Sequence, residues 1–266
     1  PKGRLTVVTG VSGSGKTTTA MRLKAYLENL GVPVCLLSMD NFFLSLADRP
    51  KELTDWESPL CVNWTELCRC MEALSNGETA QVPWYDFAGG KTGGYRPVQG
   101  SREAIILVEG IHMLNPIIFD RIRDRATGIY VAPRTRIITG DDRIVRPEQI
   151  RVARRMIRDY RGRGNSLRTT VERAQDVDRG EVQYIAPNKP NASVHIDTFH
   201  DYELCILAKY LRELPEFADA LDDAFVEAHG LGVLMQVVRE LPPLDTPFVP
   251  RDSIVREFVG GSCFEY

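Results

Sequence analysis

The sequence predicts an α/β fold, a parallel sheet with helices on both faces, and three observations predict it. Short runs rich in β-branched residues, such as "RLTVVTG" and "AIILVEG", alternate along the chain with helical stretches. Between the first strand and the helix after it lies "GVSGSGKTT", a glycine loop of the form G-x-x-x-x-G-K-[ST]. The 266 residues are enough for one large domain of this class with appendages.

The elements follow in order. "RLTVVTG" reads as a buried strand, and Lys16 to Leu30 as a helix ended by Gly31. Strand, glycine loop and helix in this sequence make the sheet one of P-loop NTPase type. "VPVCLLSMD" is a second strand, followed by a polar, aromatic loop through about Trp64. Thr65 to Asn76 is helical and Gly77 closes it, while "WYDFAGGKTGGYRP" reads as glycine-rich and irregular. "AIILVEG" is a third strand, Pro116 to Arg125 a helix, and "GIYVA" a fourth strand. "TRIITGDDRIVRP" is a loop or insertion before a strongly periodic helix, Glu148 to Tyr160, and a second helical stretch from Ser166 to about Asp178. "SVHIDT" and "YELCILAKYLREL" give a late strand and its helix. The tail from Pro215 to Tyr266 holds one or two helices and an extended "PPLDTPFVP".

Composition sets the class. Hydrophobic residues at 43% and charged residues at 26% are ordinary for a globular domain, and no apolar run is long enough to span a membrane. Six cysteines without metal-like spacing read as buried thiols in a reducing compartment, so a cytoplasmic protein is expected. The chain opens on Pro1, just before its first strand, as a trimmed chain or excised domain would.

The glycine loop carries the first chemistry. Glycines let backbone N–H groups turn around an anion, and the next helix offers its positive end. Gly10, Ser12, Gly13, Ser14 and Gly15, with Lys16, Thr17 and Thr18, are the expected nucleotide-binding set. Lys16 reaches the β/γ-phosphates and the Thr17 hydroxyl binds Mg²⁺. At the end of the second strand, "LLSMDNFF" puts Asp40 where a base for an acceptor hydroxyl is needed. At the end of the third, Glu109 closes an apolar run, a costly place for a carboxylate unless it meets a cation. Glu109 and Asp40 therefore join Thr17 as candidate metal ligands.

Two fragments suggest a GTP-dependent switch instead. "DFAG" follows no buried strand, and "NKPN" ends in Asn where a guanine-reading carboxylate is required. Kinase chemistry is the better reading.

Residues 121–179 hold sixteen arginines and no lysine against eight carboxylates, a net charge of +8 inside a chain of −3. Arg151, Arg154, Arg155 and Arg158 fall at i, i+3, i+4 and i+7 on one helical face with no acidic residue expected among them. Arg161 and Arg163 follow between glycines, as in a mobile segment. A hinged helix rich in arginine suits a phosphoryl-transfer lid, which excludes water and neutralises charge. Nucleic acid is the less favoured partner for this stretch.

Together, "GVSGSGKTT", "LSMDNFF", "DWESP", "YDF", "VEGIHMLNP", "RVARRMIRDYRGRGNS" and "GEVQYIAPNKPNAS" resemble the uridine kinase and phosphoribulokinase branch of P-loop kinases. The likeness is to bacterial uridine kinase-like proteins that often carry an N-terminal TGS-type domain. It runs from Arg4 to about Tyr210, with more in "VPRDSIVREFVGGS". The resemblance implies ATP and Mg²⁺ as cofactors and a small-molecule acceptor, with a nucleoside such as uridine first. It implies Asp40 as the base and Glu57, with Asp55 as the fallback, holding ribose hydroxyls. Tyr85 and Phe87 flank the nucleobase, Arg96 joins the acceptor-binding set, and Arg155, Arg158 and Arg163 close around phosphates. "AGGKTGGYR" stands where uridine–cytidine kinases carry a histidine soon after "YDF", and the approach to the arginine helix is longer than usual. The activity class therefore carries over further than the acceptor. A sugar, sugar phosphate or other metabolite is the alternative acceptor, and a nucleotide-dependent regulatory or RNA-binding module is the alternative of another class. A kinase domain over residues 1–213, with a lid at about 148–180, and an extension over 214–266 packed on it are expected. A homo-oligomer is compatible with all of this.

Overall fold

Leu5–Thr9, LTVVT, forms the central strand β1, with Val7 and Val8 wholly buried. Branched side chains suit a strand covered on both faces. The computed structural model describes residues 4–87, 89–217 and 221–266. After β1 come helix α1 (Lys16–Asn29), β2 (Val34–Ser38), α2 (Trp64–Ser75), β3 (Thr79–Asp86), β4 (Lys91–Gln99) and β5 (Ile105–Glu109). Next are α3 (Pro116–Ile122), β6 (Ala126–Ala132), β7 (Ile137–Ile138), β8 (Ile144–Val145), α4 (Pro147–Arg163) and α5 (Leu167–Gly180). The chain ends with β9 (Val194–Asp197), α6 (Glu203–Glu213), α7 (Asp223–Ala228), α8 (Gly232–Glu240) and α9 (Val255–Val259).

The main sheet has the order β2-β5-β1-β6-β9. β1 pairs in parallel with β5 on one side and β6 on the other, and β2 pairs in parallel with β5. The chain leaves β1 toward one edge and later crosses to the other, so the carboxyl ends of β1 and β5 frame a switch point, the place where ligands bind in such sheets. Register sets the chemistry there: Val8 and Ser38 both stand level with Glu109.

Two compact units divide the chain. The first holds Pro1–Gly10, Thr19–Tyr130 and Arg179–His195, and the second Val11–Thr18, Val131–Asp178 and Ile196–Tyr266. In the first, α2 buries Leu67, Cys70, Met71 and Leu74 along one stripe, and Asn63 caps it by accepting from the Glu66 N–H. In the second, α4, α6, α8 and α9 share one apolar core, with Met156, Leu207, Leu234 and Val255 wholly or almost wholly buried. Residues on both sides of position 213 build that core.

Four local expectations change. "WYDFAGGKTGGYRP" is not irregular but most of the antiparallel β3–β4 hairpin, where Gly93 lets the Trp84 ring lie across the opposing strand. "TRIITGDDRIVRP" contains the small β7–β8 hairpin. Arg161, Gly162 and Arg163 are the last turn of α4 rather than a mobile segment, and Gly164 closes the helix in the left-handed conformation, φ 67°. The cysteines are free, but only Cys61 and Cys70 are buried, and Cys263 is exposed. No helix among the described residues is long and apolar enough to cross a membrane.

Candidate active site

The phosphate loop begins where β1 ends. In the second unit the Ser14 N–H donates to the Val11 carbonyl at 3.0 Å, closing a turn. Gly13 and Gly15 have φ of 78° and 85°, which a side chain would strain. Close approach adds a second reason at Gly15, where a Cβ would lie 2.5 Å from Ile254 Cγ2. The loop carbonyls are tied into the protein: Arg154 Nη1 donates to Gly13 O at 2.9 Å, and Thr198 Oγ1 to Ser14 O at 2.7 Å. In a trans peptide the N–H opposes the C=O, so fixing Ser14 O aims the Gly15 N–H the other way. Lys16 then opens α1, with Thr17 beside it, both half-buried. This is an anion cradle at a helix N-terminus.

The arginine stripe is organised differently from the expectation. Arg154 is fully buried, donating to both oxygens of the equally buried Glu203, with Nη2 to Oε2 at 2.8 Å. Arg151 meets Asp178 at 3.3 Å. Asp159, which shares the face one turn on from Arg155, gathers Arg155 at 3.9 Å, Arg158 at 2.8 Å and Arg163 at 3.6 Å. Protein carboxylates thus balance charges that helical periodicity alone leaves to a ligand. Arg155 still lines the phosphate loop, its Cγ 3.2 Å from where a Gly13 Cβ would stand, whereas Arg163 is 60% exposed.

The first unit assembles the acceptor candidates. Asp40 lies half-buried in the short helical turn Met39–Phe42 after β2. Its neighbour Asn41 accepts the Tyr85 N–H at 3.4 Å, which joins "DNFF" to "YDF". Tyr85 and Phe87 meet edge to face with centroids 5.0 Å apart, and Phe43, overlooked in the sequence, completes the cluster at 5.8 and 6.2 Å. Arg96 stands apart, exposed and opposite Val82 in the hairpin ladder, roughly 10 Å along the strand from Tyr85.

Asp55 is already engaged. Its Oδ1 accepts the Glu57 N–H at 2.9 Å and its Oδ2 the Tyr184 hydroxyl at 2.7 Å, a bond that holds the Tyr184 phenol above its usual pKa. Tyr184 sits in the π-helical turn Glu181–Ile185, inside "GEVQYIAPNKPNAS", a motif that carries the resemblance without assigning this residue a role. Glu57 lies against Gly180, where a Cβ would come within 2.6 Å of its own.

Glu109 is 4% exposed at the end of β5 and accepts the Ser38 hydroxyl at 2.5 Å. A buried carboxylate among oxygen donors suits a hard cation. Among the described residues no three His, Cys, Asp or Glu side chains gather as a metal site of their own.

A family model described as the phosphoribulokinase / uridine kinase family matches residues 5–204. The uridine kinase of Brevibacillus brevis is 30% identical over 195 residues, covering 71% of this chain and 82% of its own. The uridine kinase of Halobacterium salinarum is 29% identical over 193 residues, covering 71% and 77%. A solved structure from a Silicibacter species, described as a candidate fructose transport system kinase, superposes with a TM-score of 0.56 at 21% identity. It covers 74% of this chain and 90% of that one, and shows a shared fold. The sheet order and the phosphate loop define a P-loop kinase fold. The chain belongs to the phosphoribulokinase / uridine kinase family, and with that family goes ATP-dependent phosphorylation of a small molecule.

Proposed function

We propose that this kinase transfers the γ-phosphoryl group of ATP to the 5′-hydroxyl of uridine or a related nucleoside. The observation that carries the acceptor reading is the cluster in the first unit. A half-buried Asp40 neighbours Asn41, which is bonded to the Tyr85–Phe87–Phe43 aromatic set, and the Asp55–Glu57 carboxylates lie in the same unit. Aromatic rings suit a flat base, and a carboxylate suits a ribose diol. Named relatives that are uridine kinases support the same acceptor.

In this reading Asp40 accepts the proton of the acceptor hydroxyl, whose oxygen forms the new bond to phosphorus as the bond to ADP breaks. Lys16 and the loop N–H groups bind the β/γ-phosphates, and Arg155, Arg158 and Arg163 neutralise charge spread over the transferring oxygens. Thr17, Asp40 and Glu109 would hold Mg²⁺, which would supply positive charge to offset that of the phosphates. Glu57 orients the ribose, with Asp55 fixed by Tyr184 behind it. A cytoplasmic setting accords with the six free cysteines.

A sugar or sugar phosphate is the second acceptor, favoured by the absence of a histidine after "YDF". The test is ADP release with ATP and Mg²⁺ across ribonucleosides, deoxyribonucleosides, sugars and sugar phosphates. Turnover with uridine or cytidine is expected. Turnover confined to sugars overturns the nucleoside reading and leaves the kinase class standing.

A further inference from the structure

Thr18, in the first turn of α1, is wholly buried, yet its hydroxyl is bonded to residues 239 and 248 positions away. Its Oγ1 donates to Glu257 Oε2 at 2.6 Å and lies 3.0 Å from Tyr266 Oη. A hydroxyl has one proton. Once Thr18 gives that proton to a carboxylate, the Tyr266 hydroxyl must be the donor to Thr18. Partial loss of water around the Tyr266 hydroxyl raises its pKa, although the residue as a whole is exposed, and the phenol carries its proton near neutral pH in any case. The chain reaches this place by a sharp reversal, with Gly260 and Gly261 both at positive φ, 87° and 74°.

The same stretch touches the loop and the arginine helix at other points. Ile254 fills the space that a side chain on Gly15 would need. Arg161 Nη1 donates to Val259 O at 2.7 Å, and the Arg154 guanidinium lies 5.2 Å from the centroid of the Phe258 ring. Arg154 also holds the Gly13 carbonyl. Residues 254–266 therefore grip the phosphate loop through Gly15, the first turn of α1 through Thr18, and α4 through Val259 and Phe258.

We propose that Glu257 and Tyr266 are positioning residues of the nucleotide site. They fix the helical turn that presents Lys16 and Thr17, and so set the ATP affinity. This rests on the kinase reading above. With its proton committed to Glu257, Thr18 serves as an anchor and does not donate to phosphate. Small misplacements of groups that meet a polyphosphate are costly, which is why a turn at this point is braced.

The experiment compares Glu257→Ala, Glu257→Gln and Tyr266→Phe with the wild-type chain by calorimetric titration with Mg·ATP and by steady-state kinetics in both substrates. Glu257→Ala should raise the Kd and KM for ATP by about 5- to 30-fold and leave the acceptor KM within about twofold. Glu257→Gln keeps an acceptor oxygen for Thr18 and should recover most of that loss, a rescue that mere filling of space would not explain. Tyr266→Phe, at a residue 57% exposed, should weaken ATP by about 3- to 10-fold and decides the matter if Glu257→Ala does not fold. Unchanged ATP affinity in the folded variants overturns the proposal. Tighter ATP binding in Glu257→Ala also overturns it, because the carboxylate would then be repelling phosphate. So does an equal rise in both KM values. Wild-type protein that binds no ATP overturns the kinase reading and this proposal with it, whereas wild-type binding matched by the variants overturns this proposal alone.

Discussion

Arg154 and Glu203 form an ion pair with both side chains fully buried, and the same guanidinium holds the Gly13 carbonyl of the phosphate loop and the Thr198 carbonyl. Such a pair offsets its own desolvation only while both partners remain. Arg154→Ala should destabilise the fold by about 3–5 kcal/mol in urea titration, since it leaves the buried Glu203 carboxylate with no cation and only the His200 N–H. The double variant Arg154→Met/Glu203→Leu should recover much of that stability while ATP binding stays weak, because the Gly13 carbonyl has lost its donor. Stability of the single variant within about 0.5 kcal/mol of wild type contradicts the role.

Lys16→Ala removes the point charge at the β/γ-phosphates. Turnover should vanish and ATP binding weaken by at least about tenfold in equilibrium titration. An unchanged Kd would take the phosphate loop out of nucleotide binding.

Asp40→Asn keeps size and hydrogen bonding but cannot accept a proton. The kcat should fall by about 10²–10⁴ with ATP affinity nearly kept. Wild-type kcat would remove Asp40 from the chemistry.

Glu57 and Asp55 should separate cleanly. If Glu57 accepts from both ribose hydroxyls, a 2′-deoxy acceptor loses about 5- to 150-fold in kcat/KM. Glu57→Ala should erase most of that preference. Asp55→Ala and Tyr184→Phe should resemble each other, because Asp55 spends one oxygen on Tyr184. A ribose preference intact in Glu57→Ala but lost in Asp55→Ala would exchange their roles.

Much of this was legible in the chain. Strong local signals named the main strands and most helices, since a buried parallel strand such as IILVE needs an unbroken apolar run. The β3–β4 hairpin was hidden because its glycines serve a neighbouring ring, Gly93 yielding to Trp84, and so imitate a loop. The arginine face misled for a related reason. Periodicity shows which side chains share a face, but Glu203 and Asp178 reach that helix from elsewhere in the fold, and Asp159 was on the face itself. Glu257 lies inside "VPRDSIVREFVGGS", but nothing local assigns a role to it or to Tyr266. Their partner is Thr18, and no window of sequence spans 239 residues.

The second unit is stitched from three separated stretches, with Val11–Thr18 at one end and Ile196–Tyr266 at the other. A chain emerging from the ribosome makes the phosphate loop long before several of the groups that fasten it, Glu257 following Thr18 by 239 positions. Contacts of such long range are slow to form, because loop closure precedes any reward. During synthesis the central strands can pair while the loop still lacks Glu203, Ile254 and Glu257. The growing polypeptide therefore cannot complete its nucleotide cradle until residues 254–266 have been made, so ligand capture reports that this segment has joined the fold.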